Sequence, residues 1–276
     1  MMHRAARNPL LWIVLVLLSM VIIGPLVAMA LTSLKTTAES QTSPPTLWPE
    51  VFTWRAYEVL FAAADNPILQ WFANSMISAA AHAVLVVTVA SMAGYAFARM
   101  EFPGKNVLFG VVLSTMFVPG FIFLMPNFIT LDTIGWLDTL LAVIVPGAAG
   151  AFGVFFMRQF FLRLPKEFEE SARIDGAGPL RTFWSIVLPN TRPAMVTLLV
   201  ISFLANWNDF IWPIFVLFSD ANLTLPVGLS KLQGAYTIDY PVVMAGAVIA
   251  SLPVLLLYVF VQRYVIDGVA ASGVKG

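Results

Sequence analysis

The chain has no cysteine among its 276 residues, which excludes disulfides, thiol nucleophiles and thiolate metal sites. Its two histidines, His3 and His82, are too few and too far apart in sequence to suggest a metal centre. Charge is scarce too: 11% of residues are charged, against roughly 25% in an ordinary soluble domain. Fifteen basic and fifteen acidic side chains cancel, so there is no excess of cations to neutralise phosphates, and nucleic acid is not expected as a partner. A phosphate-binding loop is also missing. The spacing Gly-x-x-x-x-Gly-Lys-Ser/Thr fails at Gly104-Lys105, which has Arg99 where the first glycine would stand and Asn106 where the hydroxyl would stand. Energy for any work must come from a partner or a gradient.

What the sequence does hold is apolar length, since 59% of the residues are hydrophobic. Runs of about 20 apolar residues, enough to cross about 30 Å of hydrocarbon at 1.5 Å per residue, recur along the chain. The pattern predicts an all-α membrane protein, a single transmembrane domain over 1–276. Its six transmembrane helices lie near 10–31, 72–97, 107–126, 139–162, 193–217 and 242–262. The first run follows His3, Arg4 and Arg7, and Ala28-Met29-Ala30 imitates a signal cleavage site. It exceeds the 7–15 residues of a signal core, however, and is read as a retained span. Residues 32–71 form a longer polar connection broken by Pro44, Pro45, Pro49 and Pro67.

On alternate sides of these spans, twelve Lys and Arg face three (Lys35, Arg55 and Lys231), so the positive-inside rule puts both termini in the cytoplasm. Six of the twelve lie in the fourth connection, Arg158 to Arg192. Its centre, 167–190, reads EFEESARIDGAGPLRTFWSIVLPN. Pro165 suits an opening helical turn, and Glu167, Glu169 and Glu170 stand near the positive end of the helix dipole. Glu169 and Arg173 are spaced for an i,i+4 pair, and Gly176 supplies a left-handed stop. A second helix would present Leu180, Phe183, Trp184, Val187 and Leu188 as one apolar face and end at Pro189. From composition alone this is an amphipathic loop that anchors the bundle.

The order of residues suggests more. Glu170-Ser171-Ala172, three residues, Gly176, and then Ile186, Leu188 and Pro189 resemble the Glu-Ala-Ala signature of permease subunits of ATP-binding-cassette importers, with Ser171 replacing the usual first alanine. Ala93 to Arg99 with Phe102-Pro103-Gly104-Lys105, then Arg173 to Gly178, Trp207-Asn208-Asp209, Thr224 to Leu229 and Gly273 to Gly276 are similar to the smaller permease of a maltose-type carbohydrate importer. That resemblance implies a type I importer permease fold in the bacterial cytoplasmic (inner) membrane. It implies a coupling loop over 164–190, in which Glu169, Glu170, Ser171, Ala172, Arg173, Asp175 and Gly176 meet an ATPase. The implied partners are a second homologous permease, two cytoplasmic ATPase subunits that bind ATP and Mg, an extracellular solute-binding protein, membrane lipid and a sugar-like solute. No cofactor is expected in this chain. The segment 219–240, with Lys231 and Gln233, resembles the loop that reaches the binding protein.

Candidate solute contacts come from polar and aromatic residues in the spans, where every polar group must be satisfied by protein or water. Ser202, Asn206, Asp209 and Pro213 would share one stripe of the fifth span, beside Phe203, Trp207 and Phe210. Pro213 would leave the Asp209 carbonyl free beside its carboxylate. Asn206, Trp207, Asn208, Asp209 and Phe117 are therefore the pathway candidates, the alternative being that they hold helices together. Asn74, Ser78 and His82 form a similar stripe on the second span. Pro119, Pro126, Pro146 and Pro253 interrupt other spans. A proton-coupled secondary transporter using Asp209 and His82 is the alternative function. An embedded enzyme has no paired carboxylates or catalytic grouping to recommend it.

Overall fold

Helix dominates because the apolar runs leave the backbone no other way to satisfy its polar groups in hydrocarbon. The computed structural model describes residues 9–62, 66–233 and 238–273, with side chains up to 260 and without that of Arg173. Among these residues, three helices are long and apolar enough to cross a membrane: α1 (Pro9–Thr32), α2 (Ile68–Arg99) and the Tyr240–Phe260 part of the final helix. Between α2 and that final helix stand α3 (Lys105–Ser114), α4 (Leu124–Thr133), α5 (Leu141–Ile144), α6 (Ala151–Arg163), α7 (Glu167–Ile174), α8 (Pro179–Asn190), α9 (Arg192–Trp207), α10 (Ile211–Val216) and α11 (Leu225–Lys231). The final helix is α12 (Tyr240–Gly273). If each bent pair is taken as one span, up to five spans result.

The described chain packs as two compact units. One comprises Met1–Leu69 with Gly228–Pro253. Here α1 is exposed on nearly every side, as befits a helix whose solvent is lipid. Its C-terminal end leads into a polar knot: the Lys35 ammonium is buried and donates to the Thr46 carbonyl and hydroxyl oxygens. Glu39 accepts from the Thr46 hydroxyl at 2.8 Å and from the Glu50 N–H at 2.9 Å. The Arg55 guanidinium meets Asp239 at 2.9 Å and also donates to Thr37, so hydrogen bonds and an ion pair hold residues 35–55 in place. On α12, a methyl added to Gly246 would lie 2.4 Å from Leu229, so a glycine is what lets α11 pack there.

The other unit, Gln70–Val227 with Val254–Gly276, contains the main core. Val86, Val87 and Ala90 of α2 pack with Met157 and Phe161 of α6, Phe183 and Val187 of α8, and Ala194 and Leu198 of α9. Close approach depends on small residues: a Cβ on Gly94 would stand 2.9 Å from the backbone of Arg158, and one on Gly153 3.1 Å from Ala90.

Three predicted spans are not continuous helices. The third divides after a short 3-10 turn at Thr115–Phe117; Val118 is extended, as the residue before a proline prefers, and α4 then leaves at 97°. The fourth divides at Pro146, with Gly147 left-handed at φ 80, into α5 and α6. The fifth divides at 208–210 into α9 and α10, so Ser202, Asn206, Asp209 and Pro213 do not form one helical stripe. The single apolar face predicted for 180–188 is also split. A π-helical turn at Phe183–Val187 shifts the register, burying Phe183 and Val187 while Leu180 and Trp184 stay exposed.

Outside these helices, Asp138 organises two connections. It is left-handed at φ 57, its N–H bonds the Val216 carbonyl at 2.7 Å, and its carboxylate accepts from the N–H groups of Phe218 and Ser219 at 2.8 and 3.0 Å. Desolvation pushes this carboxyl up, but the bonds from Ser219, Phe218 and Asn222 together outweigh it and hold the group below its ordinary value. A carboxyl with a lowered folded pKa stabilises the fold above its unfolded pKa, and that contribution disappears as pH falls through the folded value. Asp138→Ala is therefore expected to speed amide exchange at 218–222 in the detergent-purified protein at pH 7, by the equivalent of about 1 kcal/mol. The difference from wild type should narrow as pH drops below about 4; a constant difference down to pH 3 would contradict this role.

Candidate coupling and solute-pathway sites

The 164–190 connection forms two short helices as expected, and Gly176 is left-handed at φ 78, the conformation a non-glycine side chain resists. Within α7, successive residues turn about 100° apart, so neighbouring acids have opposite surroundings. Glu169 and Ala172 are buried, whereas Glu170, Ser171, Asp175 and Gly176 are exposed. The Arg173 side chain lies outside the described residues. Ile174 is 86% exposed and Leu180 76%, so apolar surface as well as the Glu170 side chain is left uncovered by the described residues.

Glu169 is turned towards Arg99, at the end of α2. The Arg99 Nε and Glu169 Oε1 atoms are 3.1 Å apart, with side chains only 7% and 10% exposed. The N–H is not aimed at the oxygen, so this contact is coulombic and makes no hydrogen bond of its own. The Arg99 Nη2 group donates to the Leu164 carbonyl, at the end of α6. Alongside, Arg158 lies 4.2 Å over the Phe109 ring and donates to the Phe97 carbonyl at 3.3 Å. Tyr95 packs against Phe161 and Phe183 with ring centroids 5.7 and 4.9 Å apart. The last two turns of α2, Gly94 to Arg99, are thus a seat on which α6, α7 and α8 rest.

Arg99 was visible in the sequence as a cation closing an apolar span, but its partner was not. The acid spaced for a local pair, Glu169, is 70 positions away in the chain.

The pathway candidates separate. Trp207 is buried, stacked on Phe203 at 5.9 Å and edge-on to Phe72 at 5.5 Å, so its ring is core packing. Asn206 donates to the Val143 carbonyl at 2.9 Å. Asn208 is exposed and bonds within its own helix to Leu204. Asp209 sits in the break before α10, with Oδ1 3.4 Å from the Trp212 N–H, where it faces the unpaired N–H groups of a helix start. Phe117 is 88% exposed at the break before α4 and is brought together with none of the others. On α2, Asn74 bonds the Ala221 and Leu223 carbonyls at 2.8 and 3.0 Å and His82 bonds Ile144, so that stripe joins helices to other segments. Lys231 and Gln233 are exposed; Gln233 forms an isolated antiparallel bridge with Ile238, and 234–237 lie outside the described residues. No group of three or more metal-ligating side chains occurs among the described residues.

The sequence is 35% identical to the arabinooligosaccharides transport system permease protein AraQ of Bacillus subtilis (strain 168), over 94% of this chain and 93% of that one. It is 34% identical to the diacetylchitobiose uptake system permease protein NgcG of Streptomyces coelicolor, over 93% and 85%. The fold is similar to a chain in the crystal structure of a bacterial ABC transporter that imports the acidic polysaccharide alginate, with a TM-score of 0.82 at 22% identity over 91% and 94% of the two chains. Residues 86–270 match the family model described as the binding-protein-dependent transport system inner membrane component, and the chain belongs to that family.

Proposed function

We propose that this chain is one permease of an ATP-driven importer for a saccharide or related solute, in which it forms half of the translocation pathway. In this reading six spans cross the cytoplasmic membrane with both termini inside, the third, fourth and fifth of them broken. The chain pairs with a second, homologous permease. Two cytoplasmic ATPase subunits hold ATP and Mg and perform the hydrolysis, and an extracellular binding protein delivers solute near Lys231 and Gln233. Relatives named for arabino-oligosaccharides and diacetylchitobiose support the solute class.

The observation that carries this reading is the two-sidedness of α7. Its inner side is fixed to the bundle through Glu169 and Ala172, and its outer side offers Glu170, Ile174 and the neighbouring Leu180. A carboxylate set in an apolar surface suits a groove with a complementary cation, and helix-in-groove docking is a common way for such a face to be covered. Proton coupling through Asp209 has less to support it, because that carboxylate faces the start of α10.

Two outcomes are expected. Glu170→Lys should leave membrane insertion intact while reducing co-purification of the ATPase at least tenfold; undiminished capture would overturn the dock. Arg99→Met leaves Glu169 buried without its cation, which typically costs 3–5 kcal/mol, whereas Arg99→Met with Glu169→Met replaces both charges and should recover most of that loss. Thermal unfolding of the four proteins in detergent measures this, and additive losses would show that the two residues act independently.

A further inference from the structure

Proline at 146 leaves a specific debt in the fourth span. Val145 N–H still bonds the Leu141 carbonyl at 3.1 Å, so the helical ladder would next place residue 146 against Ala142, but Pro146 has no N–H. Gly147 then turns left-handed, and the Ala148 N–H goes to Val145. The carbonyls of Ala142, Val143 and Ile144 are released in succession, with Ala142 and Val143 buried.

Each of these carbonyls accepts from a different side chain. Trp212 Nε1–H donates to Ala142 at 2.7 Å, and the Asn206 amide donates to Val143 at 2.9 Å. The His82 ring meets the Ile144 carbonyl through Nδ1 at 2.7 Å, and because a carbonyl only accepts, Nδ1 carries the proton. Asn206 closes α9 and Trp212 opens α10, so two of the donors flank the break in the fifth span, while the third comes from the middle of α2.

We propose that these three donors are positioning residues that join the fourth-span break to the fifth-span break, so that α2, α5, α9 and α10 move as one lever through the membrane. The proposal rests on the importer reading. Force arriving at α7 and α8 enters α9, which follows α8 directly; without the joint, α9 slips past α5 and the motion does not reach the outer half. The carbonyls of the break are consequently committed to holding helices rather than lining the solute route.

The test uses the complete transporter in liposomes with its binding protein, and compares wild type, Trp212→Phe, Pro146→Ala and the double variant. Trp212→Phe keeps an aromatic ring and loses the donor; it should still capture the ATPase but import roughly fivefold less solute per ATP. Replacing the proline with alanine supplies the missing N–H to the Ala142 carbonyl. Pro146→Ala in the Trp212→Phe background therefore satisfies the carbonyl without rejoining the two spans, so solute per ATP should stay within twofold of the Trp212→Phe value. Recovery to the wild-type value would show that the carbonyl needed only a donor and would overturn the joint. In the purified permease, amide exchange at 143–148 should rise in Trp212→Phe and fall back in the double variant. Exchange at 143–148 unchanged by Trp212→Phe, or import and hydrolysis falling in equal proportion, would overturn the joint. Failure of the wild-type protein to couple import to ATP would instead overturn the importer reading, leaving the exchange result to decide the joint by itself.

Discussion

Hydrocarbon offers no hydrogen bonds, so a backbone carbonyl released from a helix in the membrane must find a donor in the protein or admit water. That constraint decides where this chain spends its few polar side chains. Prolines at 119 and 146 stand at helix breaks, and the partners of His82, Asn206, Trp212, Trp71 and Asn74 are all main-chain carbonyls. Polar residues that look like a solute site when only the span sequence is read also answer the backbone's own demands.

The answers fall at successive levels of one unit. At one end of α2, Trp71, Asn74 and Ser75 bond the 220–225 segment. In its middle, His82 bonds α5. At its far end, Gly94, Tyr95 and Arg99 seat α6, α7 and α8. A helix of 32 residues spans about 48 Å, so one element touches every level through which force would have to pass. Its glycine and alanine positions, not large side chains, bring its neighbours close.

Much of this was legible in the sequence. The long apolar runs identified the helices, the Glu170-Ser171-Ala172 pattern located α7, and Gly176 ended it as its type requires. The points at which the structure departs from the sequence pattern share a cause. Proline marks a break but not the angle, so the 97° bend after Phe117 was not foreseen. A period of 3.6 across 180–188 predicts one apolar face, and a π turn there moves Leu180 and Trp184 off the buried side. Periodicity puts Asp209 on a continuous fifth-span helix, whereas the helix ends at Trp207. Local periodicity could not register these shifts, because tertiary packing chooses among breaks that cost nearly the same locally.

Glu169 and Glu170 make the same point at the scale of a single bond. Side by side in sequence, both acids read as members of one charged face, and composition cannot distinguish them. Helical geometry turns one towards α2, where burial makes a carboxylate costly unless a cation meets it, and Arg99 is the cation in reach. The other is left in the open, free of any such obligation. The docking role proposed for α7 would need both kinds: an exposed charge can select a partner, but it transmits displacement only if the helix that bears it is held to the bundle. The buried pair contributes little to net stability compared with an apolar replacement. Its physical consequence is orientation, since an ion pair with one partner on α2 and the other on α7 fixes which face of α7 is presented outward.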